Sequence, residues 1–160
     1  MSNMTGDWKV LKAKLNDISS GKIKEDMEEQ LQSSAKEIQQ SIQQYITGQQ
    51  GNWTPLDKST IENKGSTKIL IETGELVDSI NVKSLNEDEY VISATGERNQ
   101  AVLKYHEFGT TDMPSRPVIR PVFEEQKDKV KGDCKEAFIA SLKKWGVTHE
   151  LWVTWNRYSI

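Results

Sequence analysis

The stretch SINVKSLNEDEYVISAT, residues 79–95, decides the fold. Ile80 and Val82 alternate with polar residues, which is the pattern of a half-buried strand. Residues 86–89 are all polar and favour a turn, and residues 90–95 are again rich in β-forming side chains. The sequence therefore predicts an antiparallel hairpin at the centre of a small sheet.

Helices are predicted on both sides of this hairpin. Apolar residues spaced three and four apart predict one helix over residues 8–18 and a long second helix over residues 22–46. The same spacing predicts a third long helix, with Pro121 in its first turn and its end at Gly146. The second helix has a narrow apolar stripe among glutamines, so it is expected to cover the sheet or to pack against another subunit.

The connections between these elements are less regular. Residues 49–67 are rich in turn formers and predict a loop, with one helical turn near residues 59–63. Residues 101–108 are expected to form a short helix. Cys134 falls on the apolar face of the third helix, where we expect a buried and unreactive thiol.

The predicted fold class is α+β. It consists of two N-terminal helices, a small antiparallel sheet with a central hairpin, and a long C-terminal helix packed across it. Residues 1–146 are expected to form a single domain, comprising an N-terminal helical region (1–50), a sheet and loop region (51–121) and the C-terminal helix (121–146). Residues 147–160 are expected to form an aromatic tail or arm.

Aromatic side chains are concentrated in that tail, which contains Trp152, Trp155 and Tyr158. Tryptophan is costly to leave in water, so the tail is expected to pack. It either forms a strand that completes its own domain or docks as an arm on a neighbouring subunit. These three residues are therefore candidate interface residues.

Composition excludes several classes of protein. The chain has 160 residues, 35% of them hydrophobic and 28% charged, which suits one globular domain. Its formal net charge of −3 argues against affinity based on neutralising phosphates. No apolar run approaches the ~20 residues of a membrane span, and the N-terminus lacks a signal-peptide pattern. A soluble protein inside the cell is expected.

The sequence predicts no catalytic residue, no cofactor and no metal site. Two histidines, His106 and His149, and one cysteine cannot supply the four Cys/His ligands of a structural zinc site within one chain. His106-Glu107 does not begin a His-Glu-x-x-His motif, because Thr110 occupies the place of the second histidine. Neither a dinucleotide-binding nor a Walker motif occurs. An enzyme is therefore not expected.

An ordered series of short motifs runs from Trp53 to Val122. It comprises Trp53-Thr54-Pro55-Leu56, Thr60, Lys64, Ile69-Leu70, Thr73-Gly74-Glu75-Leu76, Ser79-Ile80, Tyr105-His106-Glu107-Phe108-Gly109-Thr110, Pro114-Ser115-Arg116-Pro117 and Arg120-Pro121. In order and spacing this series resembles the tail-completion, or virion-morphogenesis, family of tailed bacteriophages, which are neck proteins that join tail to head. The N-terminal helices and the aromatic tail lie outside the resemblance, and Val118 stands where the family usually has an aromatic residue or leucine.

The resemblance implies a structural protein of the virion neck or tail, assembled in the host cytoplasm. It implies a ring, expected to contain six subunits, through which DNA passes without sequence-specific binding. The implied partners are other copies of the chain, a tail terminator or tail tube protein, and head-completion, adaptor or portal-side neck proteins, with no membrane. Alternatives are another slot (tail terminator, head-closure or minor capsid protein) or, from a different class, a small regulatory or nucleic-acid-binding module.

Three charged residues in these motifs are candidate contacts with a subunit or partner. Arg116 and Arg120 flank Pro117, where a guanidinium is expected to pair with a carboxylate across a subunit boundary or to find partners within the chain. Glu107 is expected to bind backbone amides or a loop arginine. The other motif residues are expected to be structural: Trp53, Pro55, Leu56, Gly74, Leu76, Gly109, Thr110, Pro114 and Pro117.

Overall fold

A computed structural model describes residues 21–145 together with Lys12, Ala13 and Asn16, which are helical. The chain divides into two compact units, Gln32–Val130 and the residues on either side of it. Apart from the three helical residues, the helix predicted over residues 8–18 lies outside the described residues, as do Gly146 and the aromatic tail with Trp152, Trp155 and Tyr158. A single domain over residues 1–146 stays a prediction.

The fold is helix-rich, with a small two-stranded antiparallel sheet and a long C-terminal helix. This confirms a mixed α+β class. Within the described part of the chain, no helix is long and apolar enough to cross a membrane. The elements in chain order are α1 (Lys22–Thr47), α2 (Lys58–Lys64), α3 (Glu75–Asp78), β1 (Ile80–Asn86), β2 (Glu89–Ala94), α4 (Glu97–Phe108) and α5 (Ile119–Lys144).

The hairpin forms where the alternating pattern predicted it. Ile80 pairs with Ala94 and Val82 with Ile92, so these four side chains share one face of the sheet. Ile80 and Ala94 are fully buried at the base of the hairpin. The register shifts between Ser84 and Asn86, near the polar turn.

The core of the Gln32–Val130 unit is built on one face of α1. Ile38, Ile42 and Ile46 lie four residues apart and are buried there, while Tyr45, which the periodicity included, is half-buried. The base of the hairpin, α3, α4 and the first turn of α5 supply the other side. The remaining buried members of the cluster are Ile69, Leu70, Leu76, Val77, Ile80, Ala94, Leu103, Val118 and Val122.

Two boundaries differ from prediction. Helix α4 begins at Glu97 rather than at residue 101. Gly96 is its N-cap residue, with φ 86°, and the first turn of α4 carries only polar side chains, so it gives no apolar signal. Residues 75–78, for which the sequence predicted no helix, form the short helix α3. Polar first turns are invisible to hydrophobic periodicity.

The start of α5 and the environment of Cys134 also refine the predictions. The helix begins at Ile119, so Pro121 lies in its first turn as expected. Cys134 was predicted to be buried, but it is only half-buried, because much of the surrounding part of α5 is exposed. Partial burial, followed by the charge of Asp133, raises the pKa of its thiol.

The unit outside Gln32–Val130 is fixed by a carboxylate near the start of α1. Asp26 accepts hydrogen bonds from Ser141 Oγ at 2.7 Å, Lys144 Nζ at 2.8 Å and Trp145 Nε1 at 2.9 Å. The bond from Lys144 is the largest of the effects that lower the pKa of Asp26 to about 2. Lys22 Nζ lies 4.4 Å from the Trp145 ring centroid, so the indole is held by a cation on one of its faces as well.

Candidate functional site

The candidate site is the junction between α4 and α5, where the most specific sequence motifs meet. Glu107, near the end of α4, accepts hydrogen bonds from the backbone N–H groups of Val118 (2.8 Å), Ile119 (2.9 Å) and Arg120 (2.9 Å). A helix leaves its first four N–H groups without partners, and here the fourth residue is Pro121, which has no N–H. One carboxylate and one proline therefore account for the whole N-terminus of α5.

Charge also favours this arrangement. The Glu107 carboxylate lies at the positive end of the α5 dipole, where negative groups are stabilising. The sequence predicted that Glu107 binds backbone amides or a loop arginine, and in the structure it binds amides. The sequence did not indicate which amides, because the three partners lie 11 to 13 residues away.

Arg116 holds the loop between α4 and α5 to the loop that precedes α2. Its guanidinium donates from Nε to the Thr54 carbonyl oxygen at 3.0 Å and from Nη2 to the Pro55 carbonyl oxygen at 3.3 Å. Its backbone N–H donates to the carbonyl oxygen of His106 at 2.6 Å. Arg116 is 5% exposed. Of the two expectations for this residue, the structure shows partners within the chain.

Trp53 fastens the same two loops from the other side. Its Nε1 donates to the Pro117 carbonyl oxygen at 3.0 Å. Its ring meets Tyr45 of α1 edge-on, with 5.6 Å between ring centroids and 76° between the ring planes. Trp53 thus anchors these loops, and Leu56 is, like Trp53, partly buried against the core.

The glycine motifs mark two backbone conformations. Gly74 precedes α3 with φ 90°, and Gly109 follows α4 with φ 76°. A Cβ at Gly109 would lie 3.0 Å from both the Met113 carbonyl oxygen and the Ser115 nitrogen, so a side chain does not fit there. Thr110 N–H donates to the Met113 carbonyl oxygen at 2.9 Å and closes the turn.

The other motif residues differ in exposure. Leu76 is buried in the core, and Pro117 is half-buried next to Arg116. Pro55, Thr110 and Pro114 are exposed, as is Arg120. An interface role for Glu107, Arg116 and Arg120 stays a prediction.

His106 lies beside Arg116 in a buried environment. Its Nδ1 is buried and has no hydrogen-bond partner. Burial, followed by the nearby charges of Arg116 and Lys64, lowers the pKa of His106 to about 4. The ring borders a small cavity of about 140 Å³ that Lys64, Glu72 and Arg98 also line. This histidine is therefore neutral at neutral pH.

A groove on the outer side of the junction is apolar. Its volume is about 550 Å³, and its walls include Phe108, which is 66% exposed, and Phe123, which is 50% exposed. Ile92 of β2 and Ile119 of α5 also line it. The Arg120 guanidinium lies 6.0 Å from the Phe108 ring centroid.

Three glutamines are important anchors that sequence reasoning missed. Gln39 Nε2 donates to the Ile80 carbonyl oxygen at 2.7 Å, and Gln43 Nε2 donates to the Val77 carbonyl oxygen at 3.0 Å. Gln49 binds both the N–H (2.7 Å) and the C=O (2.9 Å) of Ile69. The only signal was the unusual glutamine content of residues 39–50, which does not identify partners.

A family model described as "Bacteriophage HK97-gp10, putative tail-component" matches residues 9–109 of the chain. The chain belongs to this HK97-gp10-like family. Its membership places the chain among phage tail components and therefore in the virion. No curated protein and no solved structure matches the chain significantly.

The extent of the family match refines the resemblance drawn from the motifs. The match begins at residue 9, so it includes α1, which the motif series had left outside. It ends at Gly109, so Glu107 lies within the HK97-gp10-like region, whereas Arg116 and the start of α5 follow it. The junction thus joins the family region to the C-terminal helix.

Replacing Glu107 tests its role as the cap of α5. Glu107→Ala removes the acceptor of three N–H groups, and we expect the free energy of unfolding to fall by about 2 kcal/mol in urea denaturation. Glu107→Gln keeps one acceptor oxygen and is expected to lose about half as much. The control is Glu125→Ala, an exposed carboxylate further along α5, expected within ~0.5 kcal/mol of wild type. Equal losses for Glu107→Ala and Glu125→Ala would contradict the cap.

His106 makes the stability of the protein depend on pH. Its folded-state pKa of about 4 lies below the ordinary value of 6.5, so between these pH values the unfolded chain binds the extra proton. Stability contributed by neutral His106 is complete above pH 6.5 and is lost as pH falls toward 4. We expect the urea midpoint of wild type, relative to His106→Asn, to decrease over this window. Parallel pH profiles for the two proteins would show that His106 is not the titrating group.

Proposed function

We propose that this chain is a tail-completion protein of the phage neck, assembling as a ring of six copies between tail and head. The observation that carries the proposal is the HK97-gp10-like family match over residues 9–109. The motif series around the α4–α5 junction supports a position in the neck, because the series resembles that of neck proteins that join tail to head. We propose a structural rather than a catalytic role.

The surface of the described residues also supports assembly. A closed ring requires heterologous contacts, in which one face of a subunit meets a different face of the next. Large apolar side chains are exposed on different elements, including Leu85 of β1, Phe108 of α4, and Phe138 and Ile139 of α5. Because these side chains lie on different elements, they can contribute to the two different faces that such a contact requires.

We propose that DNA passes through this ring without binding tightly. The net charge of −3 supports this, because phosphate affinity requires an excess of basic groups. Within the described residues, lysines of α5 are paired with carboxylates: Lys127 with Glu124, Lys129 with Glu37 and Lys144 with Asp26. The second class of function, a nucleic-acid-binding module, would need these lysines to bind phosphate groups instead.

The remaining candidates are neighbouring slots in the same particle. The proposed partners are a tail terminator or tail tube protein on one side and head-completion, adaptor or portal-side proteins on the other. Deletion of the gene from the parent phage distinguishes between these positions in the particle. We expect complete heads and complete tails that fail to join, whereas tails of uncontrolled length would indicate a terminator and empty heads a head-closure protein.

The mass of the assembled protein tests the ring directly. Native mass spectrometry of the full chain over a concentration series is expected to show an assembly of six 18.2-kDa chains. Fluorescence anisotropy with duplex DNA provides the matched test of the second class of function and is expected to show no binding at physiological salt. A monomer that binds DNA with a steep salt dependence would contradict the proposal and favour the nucleic-acid module.

A further inference from the structure

The groove beside Phe108 and Phe123 has the features of a site for aromatic side chains. The floor is Leu103, which is buried, together with Ile92 and Ile119. Phe108 and Phe123 stand on its walls with half or more of their surface exposed. Soluble proteins rarely expose two large aromatic rings on one apolar surface unless a partner covers them.

The rim of the groove is polar and carries basic groups. Gln100, Lys104 and Arg120 line it, and the one carboxylate on the rim, Glu107, is engaged by three backbone N–H groups of α5. Cations at the edge of an apolar pocket favour the faces of indole and phenol rings as well as nearby acidic side chains. The groove therefore suits an aromatic segment that also carries a carboxylate.

The chain contains such a segment at residues 150–158, ELWVTWNRY. Trp152, Trp155 and Tyr158 follow one another at intervals of three residues, with the carboxylate of Glu150 at the start of the segment and Arg157 near its end. A groove of about 550 Å³ is large enough for the side chains of one or two of these residues. On the rim, the amide oxygen of Gln100 can accept a hydrogen bond from an indole N–H or a phenol O–H group.

We propose that residues 150–158 of one copy dock in the groove between α4 and α5 of a neighbouring copy. This inference rests on the proposed function, since it requires that copies of the chain assemble with each other. The groove and the aromatic segment belong to different parts of the chain. Each copy would offer its groove to one neighbour and its aromatic segment to the other. This is the heterologous contact that a ring needs.

Disulfide trapping tests the contact in the full chain. Cys134 is the single cysteine, so Cys134→Ser provides a cysteine-free background. One tagged chain carries Ser93→Cys in the lining of the groove and a second chain carries Thr154→Cys beside Trp155, so that the aromatic anchors stay in place, and the two are mixed and oxidised mildly. We expect a covalent dimer of the two different 18.2-kDa chains. The control replaces Ser93→Cys with Phe138→Cys, at a position that is 45% exposed outside the groove, and is expected to trap at least about tenfold less.

A second measurement does not depend on cysteine chemistry. The double variant Phe108→Ser with Phe123→Ser is expected to weaken self-association by about 30-fold in sedimentation experiments, because anchor side chains in an interface have effects of this size. Phe138→Ser is the matched control and is expected to associate as wild type does. Both phenylalanines are exposed, so the melting temperature of the double variant is expected to stay close to that of wild type.

The outcomes separate this proposal from the proposed function. A ring in native mass spectrometry without trapping above the control would overturn the docking proposal and leave the ring in place. A disulfide between positions 93 and 154 within one chain, revealed by a monomer without free thiols when both cysteines are in the same chain, would overturn docking between copies. A chain that remains monomeric and is never trapped would contradict both proposals.

Discussion

The Glu107 carboxylate, bound by three backbone N–H groups at the start of α5, is the constraint on which the rest of the Gln32–Val130 unit depends. It fixes the last turn of α4 against the first turn of α5, in addition to the apolar packing of Leu103, Val118 and Val122 in the core. Phe108 follows Glu107 directly, and Phe123 lies one turn beyond the capped amides. The same bonds that satisfy the helix N-terminus therefore set the distance between the two walls of the apolar groove.

Hydrogen bonds from polar side chains hold the loops to the α4–α5 junction. In folds with a larger sheet, the strands themselves supply such bonds. A two-stranded hairpin is marginally stable alone, and here Gln39 and Gln43 of α1 bind carbonyl groups at and before its base. Arg116 and Trp53 bind carbonyl groups of each other's loops. Because these donors are largely shielded from water, each bond orients a loop as well as stabilising it. A phage tail component benefits from such rigidity, since its contact surfaces must be in place before assembly.

Regular elements could be predicted from the sequence because their signals are local. The three- and four-residue spacing of apolar side chains gave α1 almost to the residue, and the alternation at Ile80 and Val82 gave the hairpin. The start of α4 was missed because its first turn is polar. The motif series led to the right kind of phage family, although the family match extends to residue 9 and ends at Gly109. Trp53 was recognised as an anchor because a lone tryptophan in a polar loop has few other roles.

The partners of the anchors could not be predicted, because they depend on contacts between distant parts of the chain. Gln39 meets its carbonyl partner 41 residues away, and Arg116 meets Thr54 at a separation of 62 residues. The sequence around a helical glutamine does not indicate whether its side chain faces solvent or binds the end of a strand. The groove was missed for a related reason, since Phe108 and Phe123 come together only when α4 and α5 are joined by Glu107.

Amide hydrogen exchange of the full chain, followed by NMR, tests this central role of the α4–α5 junction most directly. The N–H groups of Val118, Ile119 and Arg120 have no backbone acceptor one helical turn earlier, so in the absence of Glu107 they would exchange like other helix ends. The account predicts that they are protected to the same extent as core amides of α1, such as that of Ile42. Exchange of these three amides at the rate of a fully solvated amide would contradict it.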